Sequence, residues 1–322
     1  MDETLFPKLS AGDTGALSQA ITLVESNLPA HAEASARLIE QCLPLSGKST
    51  RIAISGTPGS GKSSLINEYG SRLTADGSRV AVLAVDPTSP ISGGSILGDK
   101  TRMDKLAADP NAFVRPTPSR GTLGGVARDT REVIVLCEAA GYDTIIVETV
   151  GVGQSELAVY GMVDVFVLLG IAGAGDELQG IKRGALELAD IVVVTKADGD
   201  NKLRAEETRS MIRGTVSMLP GSRSNWKKRV ISTSVTTGDG IDEMATTIRS
   251  FIDQQRASNE FETTRIQQLK DWFDEEIVQL ATERILSLPE YASFAGKIAN
   301  DGSAPPTLAR EFIDSLFRSI DK

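Results

Sequence analysis

The sequence has little of what soft-metal chemistry requires: 322 residues include two cysteines and a single histidine, His31. Structural and relay sites for such metals draw on several Cys and His ligands, so a metal-relaying role is excluded. Cys42 and Cys137 form no CxxC pair, which reads as two small core residues in a reducing compartment. Long apolar runs are also missing. The longest, "VFVLLGIAGAG" at 165–175, is too short for a bilayer and ends in glycines. The N-terminus, "MDETLFPKLS", lacks the basic start and apolar stretch of a signal peptide, so the expected location is the cytoplasm or, for a mature chain, an organelle. Positive charge is the minority: 34 Lys and Arg against 43 Asp and Glu give a net charge of -9. That balance argues against nucleic acid or an anionic membrane as partner. The one basic cluster, "WKKR" at 226–229, reads as a solvated turn.

The rest is ordinary for a globular chain, with 40% hydrophobic and 24% charged residues. The length fits two domains, or one α/β core with helical additions, and suffices for a sizeable core without disulfides. Over 10–45 the apolar residues Leu17, Ala20, Ile21, Val24 and Leu28 keep helical spacing, and Pro29 starts a second helix through Leu38 and Cys42. "PLSGKST" at 44–50 reads as a linker. Short β-branched runs follow at 51–56, 80–86, 143–149, 164–170, 191–198 and 229–234. They are continuously apolar rather than alternating, as strands buried on both faces of a parallel sheet are. Helix-like segments between them, such as 62–75, 126–140 and 178–189, predict a doubly wound, mostly parallel α/β fold. Beyond about 255 only helices are expected. Ile266, Leu269, Phe273, Ile277, Leu280 and Ile285 line one face up to Leu288-Pro289, and Leu308, Phe312, Ile313 and Leu316 line another after Pro305-Pro306. The expected division is a helical segment over 1–45, the α/β domain over 46–255 and a helical arm over 256–322.

The chemistry begins at Gly56-Thr57-Pro58-Gly59-Ser60-Gly61-Lys62-Ser63, followed by Ser64. Glycines let the backbone curl so that successive N–H groups face a polyphosphate, and the next helix presents its N-terminus to the same anion. Lys62 can reach the β- and γ-phosphates, and the Ser63 hydroxyl can ligate Mg²⁺. The flanks, a buried strand and then a helix, are what this phosphate cradle needs.

Thr195-Lys196-Ala197-Asp198 closes a later strand. A carboxylate there can accept from both N1–H and the exocyclic amine of guanine, which adenine does not offer together. Asp198 is therefore expected to read the base, with the Lys196 stem over its plane, and Ser232-Thr233-Ser234 to touch the base edge. The usual motif starts with Asn, so Thr195 departs from it. Glu148 in "VETVGVGQSE" ends a buried strand, where a carboxylate needs a metal, a water or a cation. Gly151 can let the backbone approach the γ-phosphate. Val152 stands where small GTPases orient water with glutamine, so turnover alone should be slow, with Gln154 as the possible substitute. Asp86 ends another strand at the same sheet edge and joins Ser63 as a candidate for the Mg²⁺ shell.

With "AVLAVDPTSP", "GGSILGDKTRM", "RPTPSRGTLGG", "LCEAAGYDTIIVETVGVGQSE" and "GAGDELQGIKRGALELAD" in view, roughly 15–320 resembles the MeaB/ArgK-type GTPases of the G3E group. These are chaperones of adenosylcobalamin-dependent acyl-CoA mutases, and an older label is transport ATPase. The resemblance implies that 93–103 is switch I, with Asp99 moving to Mg²⁺, and that Glu148 in switch II lies near the metal. It implies that 173–184 is switch III, where Asp176, Glu177, Gln179 and Lys182 couple nucleotide state to the mutase. Lys62, Asp99, Glu148 and Lys182 are then the catalytic set. GTP, GDP and Mg²⁺ are the implied ligands, cobalamin is held by the mutase, and the C-terminal helices are a homodimerisation arm. A nucleotide-gated scaffold with little turnover and a transport-associated ATPase or kinase are the alternatives.

Overall fold

Strands buried on both faces dictate the architecture. The computed structural model describes residues 4–26, 28–87, 103–119, 123–149, 155–171, 183–219, 223, 226–301 and 304–320. Among them the chain forms two units, Met1–Gln268 and Leu269–Lys322.

The first unit is built on a seven-stranded, all-parallel sheet in the order β3-β2-β4-β1-β5-β6-β7. β1 (Thr50–Gly56) lies at the centre between β4 (Thr144–Thr149) and β5 (Val165–Ile171). β2 (Val80–Pro87) and β3 (Ala112–Ser119) complete one wing, β6 (Ile191–Thr195) and β7 (Arg229–Ser232) the other. All C-terminal strand ends therefore meet at one edge, the place where open α/β sheets carry their ligands.

Ile52, Ile54, Val82, Ile146, Val167 and Val193 form the core with Leu65, Ile66 and Tyr69 of α4 (Lys62–Ala75). Met244, Ile248 and Phe251 of α10 (Ile241–Ala257) join the same cluster, with Trp226 edge-on to Phe251 at 5.0 Å between centroids. This unit also contains α5 (Asp104–Ala107), α6 (Leu123–Ala139), α7 (Ser155–Tyr160), α8 (Arg183–Leu188) and α9 (Lys202–Ser217).

The N-terminal segment forms α1 (Leu5–Ser10), α2 (Thr14–Val24) and α3 (Pro29–Cys42), which pack on α6. Asp13 caps α2 by accepting from Ala16 N at 2.6 Å. Arg79 holds this layer to the sheet, donating to Gly12 O at 3.3 Å and Ala140 O at 2.7 Å. Both cysteines are buried. Burial pushes the Cys42 thiol up to about 11 and raises Cys137 as well, so both stay protonated and inert.

Two features of this unit differ from the sequence expectation. The sequence predicts no β3, whose "AFVRPTPS" carries two prolines that erase a strand signal. A strand tolerates them because β3 is an edge, pairing among the described residues only with β2. The strand expected over 191–198 stops at Thr195, because Lys196 turns into the left-handed region.

Charges hold the opposite end of the sheet. Arg51 grips Glu138 through two nitrogens, at 2.9 and 2.8 Å, and Arg265 grips Asp164 likewise, at 2.6 and 2.7 Å. Arg265 lies on α11 (Glu260–Leu286), so this cluster fixes the start of that helix to β1 and β5.

In the second unit α12 (Pro289–Asp301) and α13 (Pro305–Ile320) pack together, with Tyr291 and Phe294 against Phe312 at 6.0 and 5.2 Å. α12 has no counterpart among the elements expected from the sequence. The α11 residues Leu269, Phe273, Ile277 and Leu280 are exposed. Among the described residues no helix is long and apolar enough to cross a membrane.

Candidate functional site

The loop joining β1 to α4 sits at the centre of the C-terminal sheet edge. Gly59 and Gly61 adopt a left-handed backbone that side-chain-bearing residues rarely take. Gly61 is the N-cap of α4, so the helix donors open directly into the loop. Lys62 is the first helical residue, and its ammonium lies across the loop, donating to Gly56 O at 2.8 Å and Thr57 O at 3.3 Å. The cation is thus held against the cradle's own main chain, where a polyphosphate's outer groups would lie.

Ser63 follows on the helix and donates its hydroxyl to Glu148 Oε1 at 2.9 Å. The register explains the contact: Ile54 of β1 pairs with Glu148 of β4, so the carboxylate stands beside the loop. Both side chains are buried. A hydroxyl and a carboxylate are hard oxygen donors, the set Mg²⁺ prefers. Ser60 Oγ and Thr149 Oγ1 are buried and find no hydrogen-bond partner among the described residues. Polar groups left so around one loop fit a site built for a polar, oxygen-rich guest. Asp86 falls in β2 at the same edge, opposite Pro118 of β3, and its side chain lies outside the described residues.

The far side of the site is formed by β6 and β7. Thr195 Oγ1 donates to Ser60 O at 2.7 Å, with a longer contact to Gly170 O at 3.2 Å. Its hydroxyl ties β6 to the phosphate loop and to β5. Asp198 accepts a hydrogen bond from Ser234 Oγ, and Ala197 N reaches Thr233 O at 3.0 Å. The TKAD segment and the Ser232–Ser234 segment therefore form one continuous rim. Asn201 supports it by donating to Lys196 O at 2.9 Å, and Thr237 N donates to Ser234 Oγ at 3.1 Å. These two supports were missed in the sequence; the turn-forming run "TTGDG" at 236–240 was the available signal.

Gly56 to Ser64, Glu148, Thr195, Lys196, Asp198 and Ser232 to Ser234 thus converge on one edge. Asp99, Gly151, Val152, Gln154, Asp176, Glu177, Gln179 and Lys182 lie outside the described residues.

The chain matches the family model described as "Methylmalonyl Co-A mutase-associated GTPase MeaB" over residues 17–290. It is 47% identical to "GTPase ArgK" of Escherichia coli (strain K12), over 82% of this chain and 80% of that protein. It is 43% identical to "Methylmalonic aciduria type A homolog, mitochondrial" of Mus musculus, over 98% of this chain and 80% of that protein. Among solved structures, one described as "LAO/AO transport system kinase" superposes with a TM-score of 0.77 at 34% identity, covering 98% of both chains.

Proposed function

We propose a role for the chain from this premise: it belongs to the family of methylmalonyl Co-A mutase-associated GTPases, MeaB, and is a GTP hydrolase. Its task, in our reading, is to serve an adenosylcobalamin-dependent acyl-CoA mutase, gating cofactor loading and the release of damaged cofactor. The single observation that carries the nucleotide chemistry is the contact between Ser63 and Glu148, set beside a glycine loop crossed by Lys62.

The residues then take these roles. Main-chain amides from Gly56 to Ser64 hold the phosphates, and Lys62 leaves its carbonyl partners for the β- and γ-phosphate oxygens. Ser63 and Glu148, with Asp86 and Asp99, would hold Mg²⁺, which when bound neutralises charge on the phosphate oxygens. Asp198 accepts from guanine N1–H and the exocyclic amine, and the Lys196 stem covers the base. Water attacks the γ-phosphorus and the bond to the β–γ bridging oxygen breaks, giving GDP and phosphate. Loss of the γ-phosphate releases the segments around 93–103, 147–156 and 173–184, a two-state element biased by one phosphate. In that last segment Asp176, Glu177, Gln179 and Lys182 would pass the change to the mutase. Cobalamin stays on the mutase, and the exposed face of α11 pairs two copies of the chain.

Steady-state phosphate release, with and without an acyl-CoA mutase, tests this reading. Slow release accelerated by the mutase is the expected result, and release that no mutase changes would overturn it. The matched solved structure is described as a transport kinase, so GTP and ATP should compete in the same assay. Asp198 at the base rim leads us to expect GTP to win.

A further inference from the structure

β7 closes one side of the sheet and, among the described residues, pairs only with β6. Along a strand, the main-chain groups of successive residues alternate between the two sides. Thr233 donates to Val194 O at 2.8 Å and accepts from Ala197 N at 3.0 Å, so its groups face β6. Val230 and Ser232 therefore direct N–H and C=O to the open edge. Gly240 closes the Ser232 end: a Cβ on it would stand 2.0 Å from Ser232 O. Val230 faces a cavity of about 1080 Å³ that runs between α9 and α10. That volume lies slightly above the roughly 300–1,000 Å³ of small-ligand sites.

The walls carry a charge opposite to that of the whole molecule. Arg213, Lys227, Lys228 and Arg229 line the trough against one acid, Glu243, in a chain of net charge -9. Lys228 is committed elsewhere, donating to Leu186 O at 2.8 Å and Glu187 O at 2.6 Å at the end of α8. Arg213, Lys227 and Arg229 stay exposed. The sequence cluster that read as a solvated turn is thus the wall of an unpaired strand edge. A second copy of this edge would set like charges face to face, so self-pairing is disfavoured. Single-stranded nucleic acid binds by stacking its bases on exposed aromatic faces, and Trp226, the aromatic in this lining, is buried.

We propose that the open edge of β7 docks an acidic, extended peptide segment of a partner protein, added as a further strand against Val230. Its backbone pairs with the Val230 N–H and C=O, and its carboxylates lie against Arg213, Lys227 and Arg229. The acidic side chains supply register and on-rate, and the strand pairing supplies hold.

The test uses the full chain with Trp272→Phe, which leaves Trp226 as the only tryptophan of the two in the sequence. Titration with the peptide acetyl-Glu-Val-Glu-Val-Glu-Val-Glu-amide should shift Trp226 emission saturably and slow hydrogen exchange at the Val230 amide. The affinity should fall with added salt, and Lys227→Glu with Arg229→Glu should weaken it at least about tenfold while GTP turnover is unchanged. The proposal is overturned by no saturable signal, by unchanged exchange at Val230, or by equal binding of a peptide with lysine in place of glutamate. Displacement of the acidic peptide by oligothymidylate at lower concentration would also overturn it, in favour of nucleic acid.

Discussion

The hydroxyl of Thr195 donates to the main-chain oxygen of Ser60 at 2.7 Å, joining the end of β6 to the loop between β1 and α4. Both residues are buried, so the bond is shielded from water and its loss leaves a carbonyl unsatisfied. Thr195→Val keeps the shape and removes the donor. The expected result is a stability loss of about 1–3 kcal/mol and faster release of a fluorescent GDP analogue. Thr195→Ser keeps the donor and should behave much more like the parent. Equal release rates for the valine and serine variants would show that the link does not shape the loop.

Lys62 lies along the loop, within 2.8 Å of Gly56 O, and in the proposed function its cation meets the outer phosphates. Removing a charge that pairs with desolvated phosphate oxygens costs several kcal/mol, so Lys62→Ala should weaken GTP binding by at least about a hundredfold. The fold should persist, because the side chain is only partly buried and lies outside the hydrophobic core. Calorimetry of GTP binding, with a melting curve as control, measures both. Unchanged affinity would remove the loop from the phosphate role.

Asp198 accepts from Ser234 Oγ, which fixes the carboxylate at the rim. Asp198→Asn replaces an acceptor by a donor, so guanine meets a mismatched group and xanthine a matched one. GTP should weaken by about a hundredfold or more and xanthosine triphosphate should gain correspondingly. Competition between the two nucleotides reads the exchange directly. A variant that still prefers GTP would take Asp198 out of base reading.

How much of this was legible in the sequence follows from distance along the chain. The loop from Gly56 to Ser63 is contiguous, and each of its residue types carries its own geometric reason, so it could be read directly. The central strands were legible because burial on both faces leaves an unbroken apolar run, as in "TIIVET". β3 was not, because edge position lets Pro116 and Pro118 replace that pattern. Thr195 was read by motif as a base-side residue, whereas its hydroxyl goes to Ser60, 135 positions away. Nothing local announces such a bond. The same holds for Arg265 and Asp164, which are 101 residues apart and which the fold buries together.

That buried cluster gives a pH prediction with a definite sign. Burial pushes the Glu138 carboxyl up, but the Arg51 guanidinium, Ser49 and Arg265 together outweigh it and hold the group below its ordinary 4.5. A carboxylate depressed in the folded state adds stability that is fully present above its unfolded value and is lost as pH falls through the folded one. The parent protein should therefore lose stability below about pH 4.5, where the unfolded chain begins to take up a proton that the native state refuses. Glu138→Gln removes the charge and leaves Arg51 facing an amide in a buried setting. It should cost about 3–5 kcal/mol at neutral pH, the range for breaking one partner of a buried pair. It should also flatten the acid limb, because the titrating group is gone. Urea midpoints measured across acid to neutral pH separate the two effects. A variant with the parent's acid slope would show that other carboxylates, and not this one, set the molecule's acid sensitivity.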